Sequence, residues 1–287
     1  MPTEKTTLFR LLNLYPAEEL KDYWQLKSRT KDEAIEQILK LAEEEEVKTF
    51  ARLKQEVTKQ HLFIFENDIK SLRSFPPVLL PGYVPTASKR TTDQIEEFYL
   101  LPVTYKVVIG PPYRDVELSF LWPVSVVATS KFTIVMLTIL EKNIDAYLAQ
   151  GEEALNTQRD IEEDMILATL EDNMPSTIQL TRADLNKGVK ALWKADKIDA
   201  PMARWKPAKV TMTATMDGKY LLKKDDPQRF EEAIKTPLLK MLFAVVDPKA
   251  KYSTQFSVSP SDGELMFNRY TKPEEVSNVV RAILTAN

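Results

Sequence analysis

Residues 103–122 read VTYKVVIGPPYRDVELSFLW. The first seven of these residues are mostly β-branched or aromatic, which is typical of a β-strand. Gly110 and the two prolines that follow it interrupt the strand and predict a turn. From Val116 to Trp122 apolar and polar residues alternate in part, which predicts a second strand. The middle of the chain is therefore predicted to contain antiparallel sheet.

The residues before this sheet predict a helical region. Pro16 and the two glutamates that follow it closely favour a helix start, because proline fits the first turn and acidic residues favour the positive end of the helix dipole. Residues 30–33, TKDE, form a capping-box pattern ahead of an apolar helical face. A third helix is predicted from Val47 to Gln60. Residues 1–74 are therefore predicted to be a helical N-terminal domain.

Two further regions complete the predicted domain organisation. Residues 75–102 are predicted to be a linker or an extended arm, with a short helix near 93–99. This prediction depends on five residues that break helices and strands, namely Pro76, Pro77, Pro81, Gly82 and Pro85. Residues 103–287 are predicted to be a domain with a sub-boundary near 175–206, in which residues 132–148 are mostly helical. The predicted fold class is α+β, with helices first and a mixed region with antiparallel sheet after them.

The C-terminal part contains a candidate internal repeat of strand, strand and helix. The first unit comprises strands at 210–215 and 220–223 around Asp217-Gly218, and a helix from Pro227 that extends to Leu242. The second unit comprises strands at 252–258 and 265–270 around Asp262-Gly263, and a helix from Pro273. Two such units would form a four-stranded antiparallel sheet covered by two helices. The alternative is that two common hairpins resemble each other by coincidence.

Composition indicates a globular protein without disulfides. The 287 residues are 44% apolar and 28% charged, which is enough for a buried core. The absence of cysteine excludes disulfides, thiolate metal sites and cysteine nucleophiles, and it favours a reducing compartment. The N-terminus lacks the pattern of a signal peptide, and residues 124–140 are too short and too polar to span a bilayer. A cytoplasmic protein without membrane contact is therefore expected.

Few residues suited to catalysis or cofactor binding are present. His61 is the single histidine, so a Ser-His-Asp triad would have to use it, and a structural role is predicted for this side chain. The six glycines are too far apart for a dinucleotide-binding motif or a P-loop. No cofactor is predicted. The sequence thus favours a non-catalytic protein over an enzyme.

Carboxylates provide the catalytic alternative, a metal-dependent enzyme that cleaves phosphodiesters. Asp115 and Glu117 lie two residues apart on a predicted strand, so they share a face and are candidates for binding a divalent metal ion. Asp217 and Lys219 have the acid-x-lysine spacing of metal-dependent nucleases. A structural explanation of Asp217 also exists, because Asp-Gly is typical of a tight hairpin turn.

Charge is unevenly distributed between two neighbouring segments. Residues 141–172 contain ten acidic and two basic residues, whereas residues 182–224 contain eleven basic and four acidic residues. Lysines neutralise phosphates and aromatic rings stack on bases, so the basic segment predicts a surface that binds nucleic acid. The candidate residues are Lys187, Lys190, Lys194, Lys197, Arg204, Trp205 and Lys206. The alternative is that the acidic segment neutralises this surface, within the fold or between chains.

A short resemblance supports contact with DNA. Residues 16–39 contain a first helix with the sequence Glu19-Leu-Lys21 and a second helix that begins at the capping box and continues as AIEQIL. This pair of helices resembles the SAP-type DNA-binding module. The resemblance implies that the start of the second helix contacts DNA, here through Arg29 and Lys31. An ordinary helical hairpin is the alternative.

Three functions are consistent with these features. The first is a non-catalytic binding or adaptor protein that contacts DNA or RNA through the basic surface and the N-terminal helices. The second is the metal-dependent phosphodiesterase described above. The third is a subunit of a protein assembly, in which self-association or a protein partner pairs the acidic and basic segments between chains.

Overall fold

The computed structural model describes residues 3–67, 69, 71–140, 144–149, 151–207, 210–216, 221–245, 254–272 and 274–287. These residues form nine α-helices and a twelve-stranded antiparallel sheet. Helices come first and the sheet dominates the rest of the chain, so the predicted α+β class is confirmed.

Four short helices form the N-terminal region. They are α1 (Thr3–Asn13), α2 (Ala17–Trp24), α3 (Lys31–Leu41) and α4 (Glu44–Leu53). The predicted capping box is present at α3, where the Thr30 hydroxyl accepts a hydrogen bond from the backbone N–H of Glu33 at 3.2 Å. The helix then buries Ala34, Ile35 and Ile38. The local sequence therefore fixes both the start and the buried side of this helix.

Twelve strands form one continuous antiparallel sheet. They are β1 (Gln60–Glu66), β2 (Ala87–Arg90), β3 (Ile95–Ile109), β4 (Arg114–Ala128), β5 (Phe132–Thr138), β6 (Ala154–Arg159), β7 (Thr181–Arg182), β8 (Ile198–Trp205), β9 (Met212–Thr215), β10 (Leu238–Val245), β11 (Gln255–Ser259) and β12 (Glu264–Phe267). Their order is β2-β3-β4-β5-β1-β12-β11-β10-β8-β9, with β6 beside β3 and β7 beside β1. The predicted hairpin at 103–122 is present, and it consists of the second half of β3 and the first half of β4.

Five more helices accompany the strands. They are α5 (Glu163–Asn173), α6 (Asn186–Lys194), α7 (Leu222–Asp225), α8 (Pro227–Lys235) and α9 (Glu275–Ala286). In the parts of the chain that the structure describes, no helix combines the length and the apolar character that crossing a membrane requires.

Strand β1 separates two hydrophobic cores. Phe63 and Phe65 belong to the first core, with β3, β4, β5, the N-terminal helices and α5. Leu62 and Ile64 belong to the second core, with α6, α8 and α9. Because successive side chains of a strand point to opposite faces, α5 and α6 lie on opposite sides of the sheet at β1.

Three predicted helices are wrong over part or all of their length. The third helix was predicted to extend to Gln60, but it ends at Leu53, and Gln60 is the first residue of β1. Residues 93–99 include the start of β3, where buried Glu97 accepts hydrogen bonds from Leu79 and Arg90 at 2.8 Å each. Residues 132–138 form β5, which pairs with strands on both sides. Apolar residues on both faces of β5 gave no alternation that would distinguish it from a buried helix.

The candidate repeat is confirmed only in its second unit, which is β11, β12 and α9. In the first unit β9 pairs with β8, and α7 occupies residues 222–225, where part of the second strand was predicted. Helix α8 ends at Lys235 because Pro237 disfavours helical backbone at Thr236, and the chain continues as β10. Asp217-Gly218 lies outside the described residues. The four-stranded arrangement is therefore wrong, since these strands extend the common sheet.

Candidate functional site

Four lysines lie along the solvent side of α6 and just beyond its end, and we call them the lysine stripe: Lys187, Lys190, Lys194 and Lys197. Lys190 is half-buried and the other three are exposed. The opposite side of the helix buries Val189 and Trp193 in the second core. The spacing of three and four residues keeps Lys187, Lys190 and Lys194 on one side of the helix, and Lys197 follows three residues beyond its end.

A close approach between two helices fixes the stripe in place. At Gly188, an added Cβ would lie 2.2 Å from the backbone oxygen of Ile283 in α9. Only glycine allows this approach, because no side chain fits in the gap. The backbone N–H of Gly188 also donates a hydrogen bond to Asn287 Oδ1 at 3.1 Å. Helix α6 is thus held directly on α9 by the residue next to Lys187.

The stripe is free of ion pairs in the part of the chain that the structure describes. Among the described side chains, no carboxylate lies within ion-pair distance of any of the four ammonium groups. The pKa of Lys190 is lowered, chiefly because burial desolvates its ammonium group, with repulsion from Lys194 added and attraction to Asp184 opposing. An anion that came close to Lys190 would relieve both effects.

Two lysines that the sequence analysis did not select lie next to the stripe. A shallow hollow of about 620 Å³ is lined by Lys194, Lys223 and Lys235, together with Phe230, Glu231 and Ile234. Lys223 Nζ donates hydrogen bonds to the carbonyl oxygens of Trp193 at 3.1 Å and Lys194 at 2.7 Å, and it pairs with Asp196 at 2.6 Å. Lys223 therefore caps the C-terminal end of α6, and its own charge is paired with Asp196.

The two tryptophans of the basic segment lie inside the protein. Trp193 is fully buried, donates from Nε1 to Asp199 Oδ1 at 2.8 Å and packs edge-on against Phe230. Trp205 is fully buried as well. The ring of Trp205, predicted to contact nucleic acid, is therefore not on the surface for base stacking, because both tryptophans fill the second core.

Arg204 lies away from the lysine stripe. Its neighbours Ala203 and Trp205 point into the second core, which α6 covers. Arg204 therefore points to the other face of the sheet, beside Lys240 in β10 and Thr213 in β9. Lys206 is exposed just beyond the end of β8. Only Arg204 is exposed between two buried neighbours in β8, and most of this strand shows no alternation that would have separated Arg204 from the helix.

Arg29 and Lys31 lie in the helical N-terminal region. Lys31 is half-buried, and its Nζ donates to the carbonyl oxygen of Asn13 at the end of α1 at 2.6 Å. Arg29 is exposed, and its backbone N–H donates to Glu33 Oε2 at 2.9 Å. Lys31 therefore stabilises the packing of α1 against α3, whereas the guanidinium group of Arg29 is accessible.

The acidic segment has its ion pairs elsewhere. Glu163 binds His61, Glu162 pairs with Arg159, and Glu152 pairs with Arg114. Across the described ranges, no ion pair joins residues 141–172 to residues 182–224. Because α5 and α6 lie on opposite sides of the sheet, the acidic helix does not neutralise the lysine stripe.

Of the carboxylates in the metal-site alternative, the structure describes only Asp115 and Glu117. Asp115 and Glu117 are exposed on the same face near the start of β4, and Lys106 of β3 stands directly opposite Glu117. Asp217 and Lys219 fall outside the described residues. Within the described part of the chain, no group of three or more His, Asp or Glu side chains is placed to hold a metal ion.

Sequence reasoning missed a charged cluster around His61. The His61 ring packs on Phe63 with centroids 4.1 Å apart, and its Nδ1 lies 2.8 Å from Glu163 Oε2. Its Nε2 lies 3.9 Å from Glu264 Oε2. Arg182 stacks over Phe63 and Phe65, with its guanidinium carbon within 4.7 Å of each ring centroid. Both carboxylates come from distant parts of the chain, so no local pattern pointed to them.

Comparison of the chain with protein-family models, curated proteins and solved structures finds no significant match.

Proposed function

We propose that this chain is a non-catalytic binding protein whose lysine stripe contacts the phosphate backbone of a nucleic acid. The observation that carries the proposal is the set of three lysines on one side of α6, with Lys197 just beyond its end, that have no carboxylate partner among the described residues. Unpaired ammonium groups that share a surface repel each other, and a polyanion removes that repulsion.

The dimensions of the stripe suit a phosphate chain. With a rise of about 1.5 Å per helical residue, Lys187 and Lys194 are about 10 Å apart along α6. Lys223 and Lys235 lie beside Lys194, but Lys223 is paired with Asp196 and Lys235 with Glu231, so the unpaired positive surface is the stripe itself. Each lysine is a point charge on a flexible stem, so it can follow phosphates without a fixed hydrogen-bond geometry.

The proposed mode of binding is electrostatic and independent of sequence. Both tryptophans of the basic segment are buried, so base stacking by their rings does not contribute. Contacts to phosphates fix position but carry no direct information about base sequence. We therefore expect affinities for unrelated sequences of equal length to agree closely.

A triple substitution tests this proposal. We expect Lys187→Gln/Lys190→Gln/Lys194→Gln to weaken binding on the order of tenfold at low salt, because three ammonium groups no longer neutralise phosphates. The measurement is fluorescence anisotropy with labelled DNA and RNA, single- and double-stranded. The matched control is Lys27→Gln/Lys40→Gln/Lys89→Gln, which removes three exposed lysines from other surfaces and changes the net charge equally.

Two results would contradict the proposal. The first is no binding by the unmodified protein at low salt. The second is an equal reduction of affinity in the triple variant and its control, since that would reflect total charge and not the lysine stripe.

A further inference from the structure

Strand β9 is an outer edge of the sheet and carries no charged residue. Residues 210–216 read VTMTATM, and in the described part of the chain β9 pairs only with β8. Val210 is 61% exposed and Met212 is 36% exposed. The opposite edge, β2, carries Lys89 and Arg90. Charged side chains on an edge strand prevent pairing with other chains, so β2 is protected and β9 is not.

The hydrogen bonds between β9 and β8 show which backbone N–H and C=O groups of β9 point away from β8. The N–H of Met216 donates to the carbonyl oxygen of Pro201 at 2.7 Å, so residue 216 faces β8. Backbone groups of an antiparallel strand alternate in direction, so Ala214 and Met212 also face β8. The N–H and C=O groups of Thr213 and Thr215 then point outward, away from the sheet.

The sequence of this edge is palindromic. Residues 212–216 read MTATM in both directions, with Ala214 at the centre. In an antiparallel pair with a second copy centred on Ala214, Thr213 stands opposite the partner subunit's Thr215. Both of these residues have outward backbone groups, so they form hydrogen-bonded pairs. Ala214 then stands opposite the partner subunit's Ala214 in a non-hydrogen-bonded pair, where small side chains fit the closer approach.

We propose that β9 pairs with β9 of a second copy of this chain, about a two-fold axis normal to the sheet. A second copy fits this edge because the reversed sequence makes the pairing self-complementary, as an isologous interface requires. No like charges meet across residues 212–216. Threonine pairs across the two strands add side-chain contacts on one face, and Met212 meets the partner subunit's Met216 on the other.

The pairing continues the second core across the interface. Ala214 is buried in that core and Met216 packs against it. An axis normal to the sheet leaves the helices of both copies on the same side. The dimer would therefore present two lysine stripes on one face, although the dimer itself does not depend on nucleic-acid binding. An interface of one short strand is small, so we expect the association to depend on concentration.

Light scattering after size exclusion, over a range of protein concentrations, tests the interface. We expect the mass to rise with concentration from 32.9 kDa to twice that value. The variant Thr213→Lys/Thr215→Lys adds charge at two exposed edge positions, and it should remain monomeric throughout. The control Thr49→Lys/Ser88→Lys adds the same charge elsewhere and should dimerise normally. Circular dichroism verifies that both variants are folded.

Three outcomes would overturn the inference. They are a wild-type chain that stays monomeric at all concentrations, a Thr213→Lys/Thr215→Lys variant that dimerises like the wild type, and growth beyond two copies. An open-ended assembly would contradict the closed two-fold pairing.

A single cysteine tests the register. The chain contains no cysteine, so any disulfide in the Ala214→Cys variant must join two copies. The Cα atoms of a non-hydrogen-bonded pair lie about 4.5 Å apart, which a disulfide can bridge. With oxidised glutathione we expect a covalent dimer of Ala214→Cys and none of Ser88→Cys on the protected edge. Failure of Ala214→Cys to cross-link would contradict the two-fold centre at Ala214.

Discussion

His61 shows how single residues connect distant segments of this fold. Its imidazole forms a hydrogen bond with Glu163, which lies 102 residues away in sequence at the N-terminal end of α5. Burial of the ring opposes protonation, but the hydrogen bond to Glu163 and the nearby carboxylate of Glu264 outweigh it and raise the pKa of His61 to about 9. The interaction with His61 also lowers the pKa of Glu264. His61 is therefore a cation that links α5 to β1 at neutral pH.

This shift predicts a dependence of stability on pH. Because the pKa is higher in the folded than in the unfolded state, the contribution of His61 is complete below about pH 6.5 and disappears as pH rises through about 9. The full effect is about 3 kcal/mol. Urea unfolding between pH 6 and 10 should show wild type losing its advantage over His61→Gln as pH rises. A constant difference between the two proteins would contradict the assignment.

At the scale of elements, the lysine stripe depends on the packing of α6 against α9. Gly188→Ala would bring a methyl group against the backbone oxygen of Ile283, which cannot move aside as a side chain can. The clash outweighs the higher helix propensity of alanine. We expect the free energy of unfolding to fall by about 1–3 kcal/mol. Urea denaturation measures it, and an unchanged or increased stability would show that the two helices are not held as described.

Sequence patterns predicted the elements that have a local cause. Thr30 and Glu33 specify the start of α3, and Gly110 with its prolines specifies the turn between β3 and β4. Strand β5 was missed because both of its faces carry apolar side chains, which removes the apolar–polar alternation of a half-buried strand. The stripe was found because its lysines repeat at helical spacing. Lys223 was missed because it reaches α6 only through the tertiary fold.

At the scale of the whole molecule, β1 joins the two cores. It pairs with β5 on one side and β12 on the other, and its alternate residues belong to different cores. Both of these partners lie far along the chain from β1, beyond the reach of any local pattern. This is why the sequence predicted the fold class but not the single sheet.

A shared central strand predicts cooperative unfolding. We expect the regions around β4 and β10 to lose structure in one transition, because disruption of β1 exposes both cores. Hydrogen exchange followed by mass spectrometry in increasing urea should give the same midpoint for peptides from both strands. Two separate midpoints would instead indicate independently folding domains, with a boundary near β1 or in the predicted 175–206 region.

The salt dependence of nucleic-acid binding is a direct test of the claim that the lysine stripe binds phosphates. For duplex DNA the logarithm of the affinity falls with the logarithm of salt concentration, with a slope of about 0.9 for each neutralised phosphate. We predict that Lys187→Gln/Lys190→Gln/Lys194→Gln reduces this slope by about 1 for each lysine replaced, while Lys27→Gln/Lys40→Gln/Lys89→Gln retains the wild-type slope. Equal slopes in all three proteins would contradict the claim.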